Sequence, residues 1–305
     1  MATTSSISAA STALVLFFLL LLHGSRPTVS RDLPKSDVDL LEFPLNLEYL
    51  EAEFFSYGAF GRGLDALEPN LTGGGPPPIG PRIAKLSPLI RDITGQFAYQ
   101  EFGHLRAIKR TVPGFPRPLL DLSAATFATV INNAFGKELH PPFDPYANDL
   151  NYLIASYIIP YVGLTGYVGA NPKLQSPTAK KLVAGLLGVE SGQDAVIRAL
   201  LYERAGFPVV PYGYTVAEFT DKISNLRNRL GKEGLKDEGL IVDPALGPEG
   251  RSAGNVLAGD QDSLAYGRTP EEILRIVYGS GNESHPGGFY PHGADGAIAR
   301  SYLQK

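Results

Sequence analysis

Apolar residues recur along most of this chain at helical rather than strand spacing. At Ser36 a serine with an acidic residue three positions later, Asp39, reads as a helix start. From there to about Phe60, Leu40, Phe43, Leu47, Leu50 and Phe54 keep that spacing, and Gly58, Gly61 and Gly63 close the stretch. Residues 71–81, LTGGGPPPIGP, admit neither a helix nor a central strand. A second helix is predicted over 83–110, ending at Val112-Pro113-Gly114, and a short one over 123–135. A third apolar stretch, 149–168, is interrupted by Pro160 and by glycines. The fourth, 178–205, is the cleanest amphipathic pattern in the chain. A fifth, 216–230, is shorter and more charged. Beyond Leu235 the chain is Gly-rich and weakly apolar, with one helix expected over 270–278, where Thr269 caps and Pro270 takes the first position. Strand-like runs are few, and the one at 207–214 carries prolines. The pattern predicts an all-α fold: a four-helix bundle whose second and third helices are joined by a long crossing connection, then an additional helix and an irregular C-terminal region. No repeat of solenoid length is visible.

Polar residues interrupt the apolar faces at particular places. On the second helix Ile90, Ile93, Phe97, Leu105 and Ile108 share a direction, and Glu101 and His104 fall within the same arc, three apart. On the fourth, Glu190 and Gln193 sit amid Leu182, Leu186, Val189, Val196, Ile197 and Leu200. On the first, Glu48 lies between Leu41 and Phe55, with Glu51 near the centre of the arc. Three helices thus send carboxylates toward one core. Each unpaired buried carboxylate costs several kcal/mol, so the group requires cations, protons or a dense hydrogen-bond network.

Glutamate from each of two helices and Glu-x-x-His from each of two others is the plan of di-metal carboxylate bundles. The run 46–55, NLEYLEAEFF, followed by Glu101-Phe102-Gly103-His104, resembles the ferritin-like superfamily. With Tyr161-Val162-Gly163-Leu164-Thr165-Gly166-Tyr167 and Gly188-Val189-Glu190-Ser191-Gly192-Gln193-Asp194, the chain is similar to the plant desiccation-related proteins of that superfamily. The resemblance covers about Ser36 to Ala205 and continues into the Gly-rich tail. It implies a ferritin-like four-helix bundle with Glu48 (Glu51 its competitor), Glu101, His104 and Glu190 as metal ligands. Gln193 stands where the second histidine would be, and Ile158-Ile159-Pro160 where a third-helix glutamate is expected. The remaining set can hold one divalent metal, iron or manganese, with water. It can equally persist as a proton-sharing network with one carboxyl neutral. The expected function is that of a secreted, stress-associated, protective and non-catalytic protein with a degenerate di-metal site. The alternatives are a metal-binding protein or di-iron-type oxidoreductase using the residual site, and a cell-wall scaffold acting through residues 76–81 and the tail.

Composition narrows these readings. With no cysteine among 305 residues there is no disulfide framework, thiolate metal site or cysteine nucleophile. A net charge of −4 without a basic block argues against nucleic acid as a partner. Ala13 to Leu22, ALVLFFLLLL, is too short to span a bilayer and suits the apolar region of a secretory leader, so residues 1–28 are read as a signal peptide cleaved between Ser25 and Ser30. The mature chain would then carry no membrane span and be exported, to the apoplast, the wall or the vacuole. Asn70-Leu71-Thr72 and Asn282-Glu283-Ser284 are glycosylation acceptors consistent with export. The bundle is placed at 36–206 and the C-terminal extension packed on it at 207–305. His285 and His292 read as solvated loop residues, and Glu218, Asp221, Lys222, Arg227 and Arg229 as a solvated helix face. The tyrosines at 152, 157, 161 and 167 are expected to pack in the bundle with their hydroxyls at its edge, one of them within reach of a metal.

Overall fold

A computed structural model describes residues 33–303, so the predicted leader lies outside the described residues. Helices α1 (Lys35–Glu42), α2 (Leu45–Phe60) and a single turn, α3 (Leu64–Leu67), are followed by α4 (Pro88–Thr111) and α5 (Ala124–Phe135). Then come α6 (Asp149–Ile158), α7 (Pro160–Ala170), α8 (Pro177–Tyr202) and α9 (Val216–Gly231), and in the tail α10 (Pro270–Val277) and α11 (Ala297–Leu303). The only paired strands among the described residues are β1 (Pro208–Val209) and β2 (Tyr214–Thr215), an antiparallel ladder two residues long.

The first predicted helix is in fact two. Pro44, which has no N–H to donate, sits immediately before α2 and separates it from α1. Ser36 does not cap α1, whose first turn has no side-chain cap. Asp37 instead turns inward and accepts the backbone N–H groups of Gln175 and Ser176, at 3.0 and 2.7 Å, at the start of α8. The third stretch divides at Pro160 in the same way, into α6 and α7. Taken together, Asp149–Lys173 is long and apolar enough to cross a membrane, yet 78% of its 18-residue apolar stretch is buried inside the structure.

α2 packs along α4, and α6–α7 along α8, giving the expected bundle. α2 is buried nearly all round rather than on one face. Its far side is covered by the tail, where Asn46 exchanges hydrogen bonds with the Asp295 backbone and Tyr290 Oη donates to the Asn46 carbonyl at 2.8 Å. It is also covered by the 71–81 loop, which Arg117 fastens down. Arg117 is fully buried, pairs with Glu53 of α2, and donates to Asp65 and to the Pro76 carbonyl.

The fourth helix is rotated slightly from its predicted face. Val189 and Val196 are exposed, while Val183, Leu186, Ile197 and Leu201 form the apolar side.

Arg227 corrects the reading of α9 as solvated on its charged side. It is buried, donates to the Tyr157 carbonyl at 2.7 Å and pairs with Asp237 at 2.6 Å. Arg198 of α8 likewise donates to the carbonyls of Glu238, Asn255 and Val256. The Arg198 guanidinium thus satisfies carbonyls of an irregular segment, and that of Arg227 a carbonyl at the end of α6, where Pro160 interrupts the helix. His285 and His292 are exposed as expected, although Phe289 and Tyr290 between them are core residues.

Candidate metal centre

Four helices face one another across a small polar volume. Residues three apart lie on one face of a helix, so α2 presents Glu48 and Glu51, α4 presents Glu101 and His104, and α8 presents Glu190 and Gln193. All six are buried, and His104, at 7%, is the most exposed of them. His104 Nδ1 lies 3.1 Å from Glu48 Oε2, 3.1 Å from Glu101 Oε2 and 3.3 Å from Glu190 Oε1. Ligand atoms of these four residues all fall within 4.8 Å of one another. Gln193 joins them indirectly: its Nε2 donates to Glu101 Oε1 at 2.6 Å and to Gln100 Oε1 at 3.0 Å. Tyr167 of α7 donates its hydroxyl to Glu48 Oε1.

The fourth side differs from the sequence expectation. The part of α7 that faces the cluster is Gly163, one turn beyond Ile158-Ile159-Pro160. A Cβ placed on Gly163 would lie 3.1 Å from Glu51 Oε1 and 3.6 Å from Glu190 Oε2. Glu51 thus occupies the space that a ligand from α7 would need. It is a fourth carboxylate of the group rather than a competitor for the place of Glu48. Of the four tyrosines in this stretch, Tyr167 alone reaches a carboxylate of the cluster; Tyr152, Tyr157 and Tyr161 bond backbone carbonyls and a serine, fully buried rather than at the edge. A glycine at 163 and a tyrosine at 167, four apart on one helix, were the available signal for both roles.

Without a cation the group is electrostatically unbalanced. Burial raises the pKa of Glu51, Glu101 and Glu190, and repulsion among the carboxylates raises each further, Glu190 to about 7. Burial opposes charge on His104, but Glu48 and Glu101 outweigh it and hold the imidazolium well above its usual range. Glu48 is desolvated too, yet the His104 charge beside it keeps it low. One imidazolium therefore serves four carboxyls. Three buried oxygens, Glu51 Oε2, Glu190 Oε2 and Gln193 Oε1, have no hydrogen-bond partner. Unpartnered buried acceptors beside an excess of carboxylate, with one imidazole, form a donor set suited to a divalent transition metal of the manganese or iron type. The residues present fit such an ion.

Comparison with known proteins bears on the same region. The chain is 65% identical to desiccation-related protein PCC13-62 of Craterostigma plantagineum over 291 residues, 94% of this chain and 93% of that one. It is 60% identical to ferritin-like catalase Nec2 of Nesocodon mauritianus over 269 residues, 88% of this chain and 86% of that one. No solved structure matches. A profile described as the ferritin-like domain matches residues 36–203, which hold all four helices of the cluster. A bundle with Glu48, Glu101, His104 and Glu190 converging at its centre, matched over that span, belongs to the ferritin-like family, among the plant desiccation-related proteins.

Proposed function

We propose that this chain is a stress-associated ferritin-like protein that holds a divalent metal at Glu48, Glu101, His104 and Glu190 and uses it to disproportionate hydrogen peroxide. The observation that carries the metal is the set of buried oxygens without partners in an over-acidic core. The reaction class is suggested by the relative named a ferritin-like catalase. Manganese or iron bound there would supply a reversible redox change, so that one peroxide is oxidised to dioxygen while a second is reduced to two waters. The protein's own part is positioning and proton handling. Tyr167 fixes one oxygen of Glu48, and the Gln193 amide orients Glu101. Peroxide oxidation releases two protons and peroxide reduction takes up two, so a carboxyl beside the centre must hold them between the halves. Glu51 lies beside Gly163, outside the three carboxylates that meet His104 Nδ1, and its raised pKa leaves it able to carry a proton.

A non-catalytic reading has one observation in its favour: Gln193 replaces a histidine and commits its amide to Glu101 and Gln100, leaving only a neutral carbonyl. The two readings separate on purified mature protein, by elemental analysis and by an oxygen electrode after peroxide addition. Bound manganese or iron with dioxygen release supports catalysis, and His104→Ala should abolish both. A metal-free chain that takes up neither ion and evolves no dioxygen leaves the buried network as the function. Export is inferred from the leader and the two acceptor sequences, and a fluorescent fusion to the full chain, followed in leaf tissue, reads its destination. The wall-scaffold reading is tested by retention of the full chain on immobilised wall polysaccharide.

A further inference from the structure

One apolar cavity approaches the carboxylate cluster from outside. It lies between α1–α2 and α7, and its walls include Leu40, Phe43, Leu47, Gly166 and Ile273, with Gly163 among them. Including its mouth it measures about 400 Å³, but its interior admits only water-sized bodies. Gly163 links it to the cluster. A carbon added at that residue would contact Glu51 Oε1, Glu190 Oε2 and, at 3.9 Å, Leu47 Cδ1. Of these two carboxylate oxygens, Glu190 Oε2 has no hydrogen-bond partner. α7 therefore places no side chain between the cavity and those oxygens. Gly166, one turn nearer the outside, is equally constrained, since a Cβ there would lie 2.6 Å from Ile273 Cδ1. The seam between α4 and α8 is different in character: there the Gln193 amide bridges Gln100 and Glu101, closing it with hydrogen bonds.

We propose that this passage is the route by which a small uncharged oxidant of peroxide size reaches the cluster, with Gly163 keeping its inner end open and Leu40 controlling its mouth. This rests on the metal reading above. Two cations also line the cavity, Lys173, which is exposed, and Arg268, which already pairs with Glu272. The remaining walls are mostly apolar, so an ion moving inward loses hydration with few partners to replace it, while a neutral molecule the size of water passes.

The test loads the full-length mature chain with Fe(II) under anaerobic conditions and follows nitric oxide and azide association by stopped flow, with iron per chain measured for each variant. Leu40 is half-buried, so its substitution should spare the fold. Leu40→Trp should slow nitric oxide association by about tenfold and leave the iron content unchanged, Leu40→Ala should accelerate it, and azide should be slower than nitric oxide in wild type. Association unchanged by Leu40→Trp but slowed by Gln100→Trp would overturn the proposal and place access at the α4–α8 seam. If wild type takes up no iron, the metal reading falls and the passage is judged on metal-free crystals under xenon. Xenon seated between Leu47 and Gly163 supports it, and an empty passage overturns it.

Discussion

At His104 a single ring nitrogen faces Glu48, Glu101 and Glu190, and the charge states of the group follow from that arrangement. In the metal-free protein the carboxyls of Glu51, Glu101 and Glu190 titrate above their unfolded value of 4.5. Burial also raises Glu53, to about 7 against the pull of Arg117, and Asp194, to about 6 against Arg198. An acid whose pKa rises on folding contributes stability that is complete below its unfolded pKa and lost as pH climbs through the folded one. Glu48, held low, contributes in the opposite sense only in the acid range, where its stabilisation is lost as pH falls. The metal-free protein should therefore melt progressively lower as pH rises from about 5 to about 7. Added Mn²⁺ should reverse the trend, because ligands that must lose protons bind more tightly as pH increases. Melting curves with chelator and with Mn²⁺ should give slopes of opposite sign. A metal-free chain that becomes more stable over that interval contradicts this account.

Elements owe their shape to single residues. Pro44 and Pro160 divide two predicted helices into pairs, letting each half take its own angle around the core. Glycine acts in two ways within these helices. A Cβ on Gly58 of α2 would fall on the Tyr152 phenol, which is itself stacked on Phe54 and bonded to the Phe54 carbonyl, so it has nowhere to move. Gly185 of α8 has open space where a Cβ would go. Gly58→Ala should accordingly cost about 2 kcal/mol through overpacking. Gly185→Ala should gain about 0.5–1 kcal/mol through helix propensity alone. Urea unfolding of the two variants measures both, and equal effects would mean that α2 and α6 do not pack as described.

Across the molecule, the tail completes the core rather than decorating it. Asp237 and the carbonyls of Glu238 and Asn255 supply acceptors to three buried arginines, Arg198, Arg227 and Arg268, and Asp237 is the carboxylate paired with Arg227. Truncating one member of a buried pair leaves its charge stranded, so Asp237→Ala should cost about 3–5 kcal/mol. Guanidinium denaturation should show one transition displaced to lower denaturant. Two separated transitions would show that the tail unfolds independently of the bundle.

Helical periodicity was enough to read the bundle, and the three-residue spacing of Glu101 with His104 and Glu190 with Gln193 was enough to read most of the cluster, because both depend only on which residues share a face. The conversion of α2 into an all-round buried helix, the inward place of Arg227 and the burial of Glu53 were not legible there. Each depends on a partner far away in the chain: Asp295 and Tyr290 over α2, Asp237 beside Arg227, Arg117 beneath Glu53. The helices and the acidic character of their inner faces follow from the order of residues alone, because each depends on neighbours within one turn or two. That Glu51 fills the space α7 leaves at Gly163 does not, since it is fixed by how two helices distant in sequence approach one another.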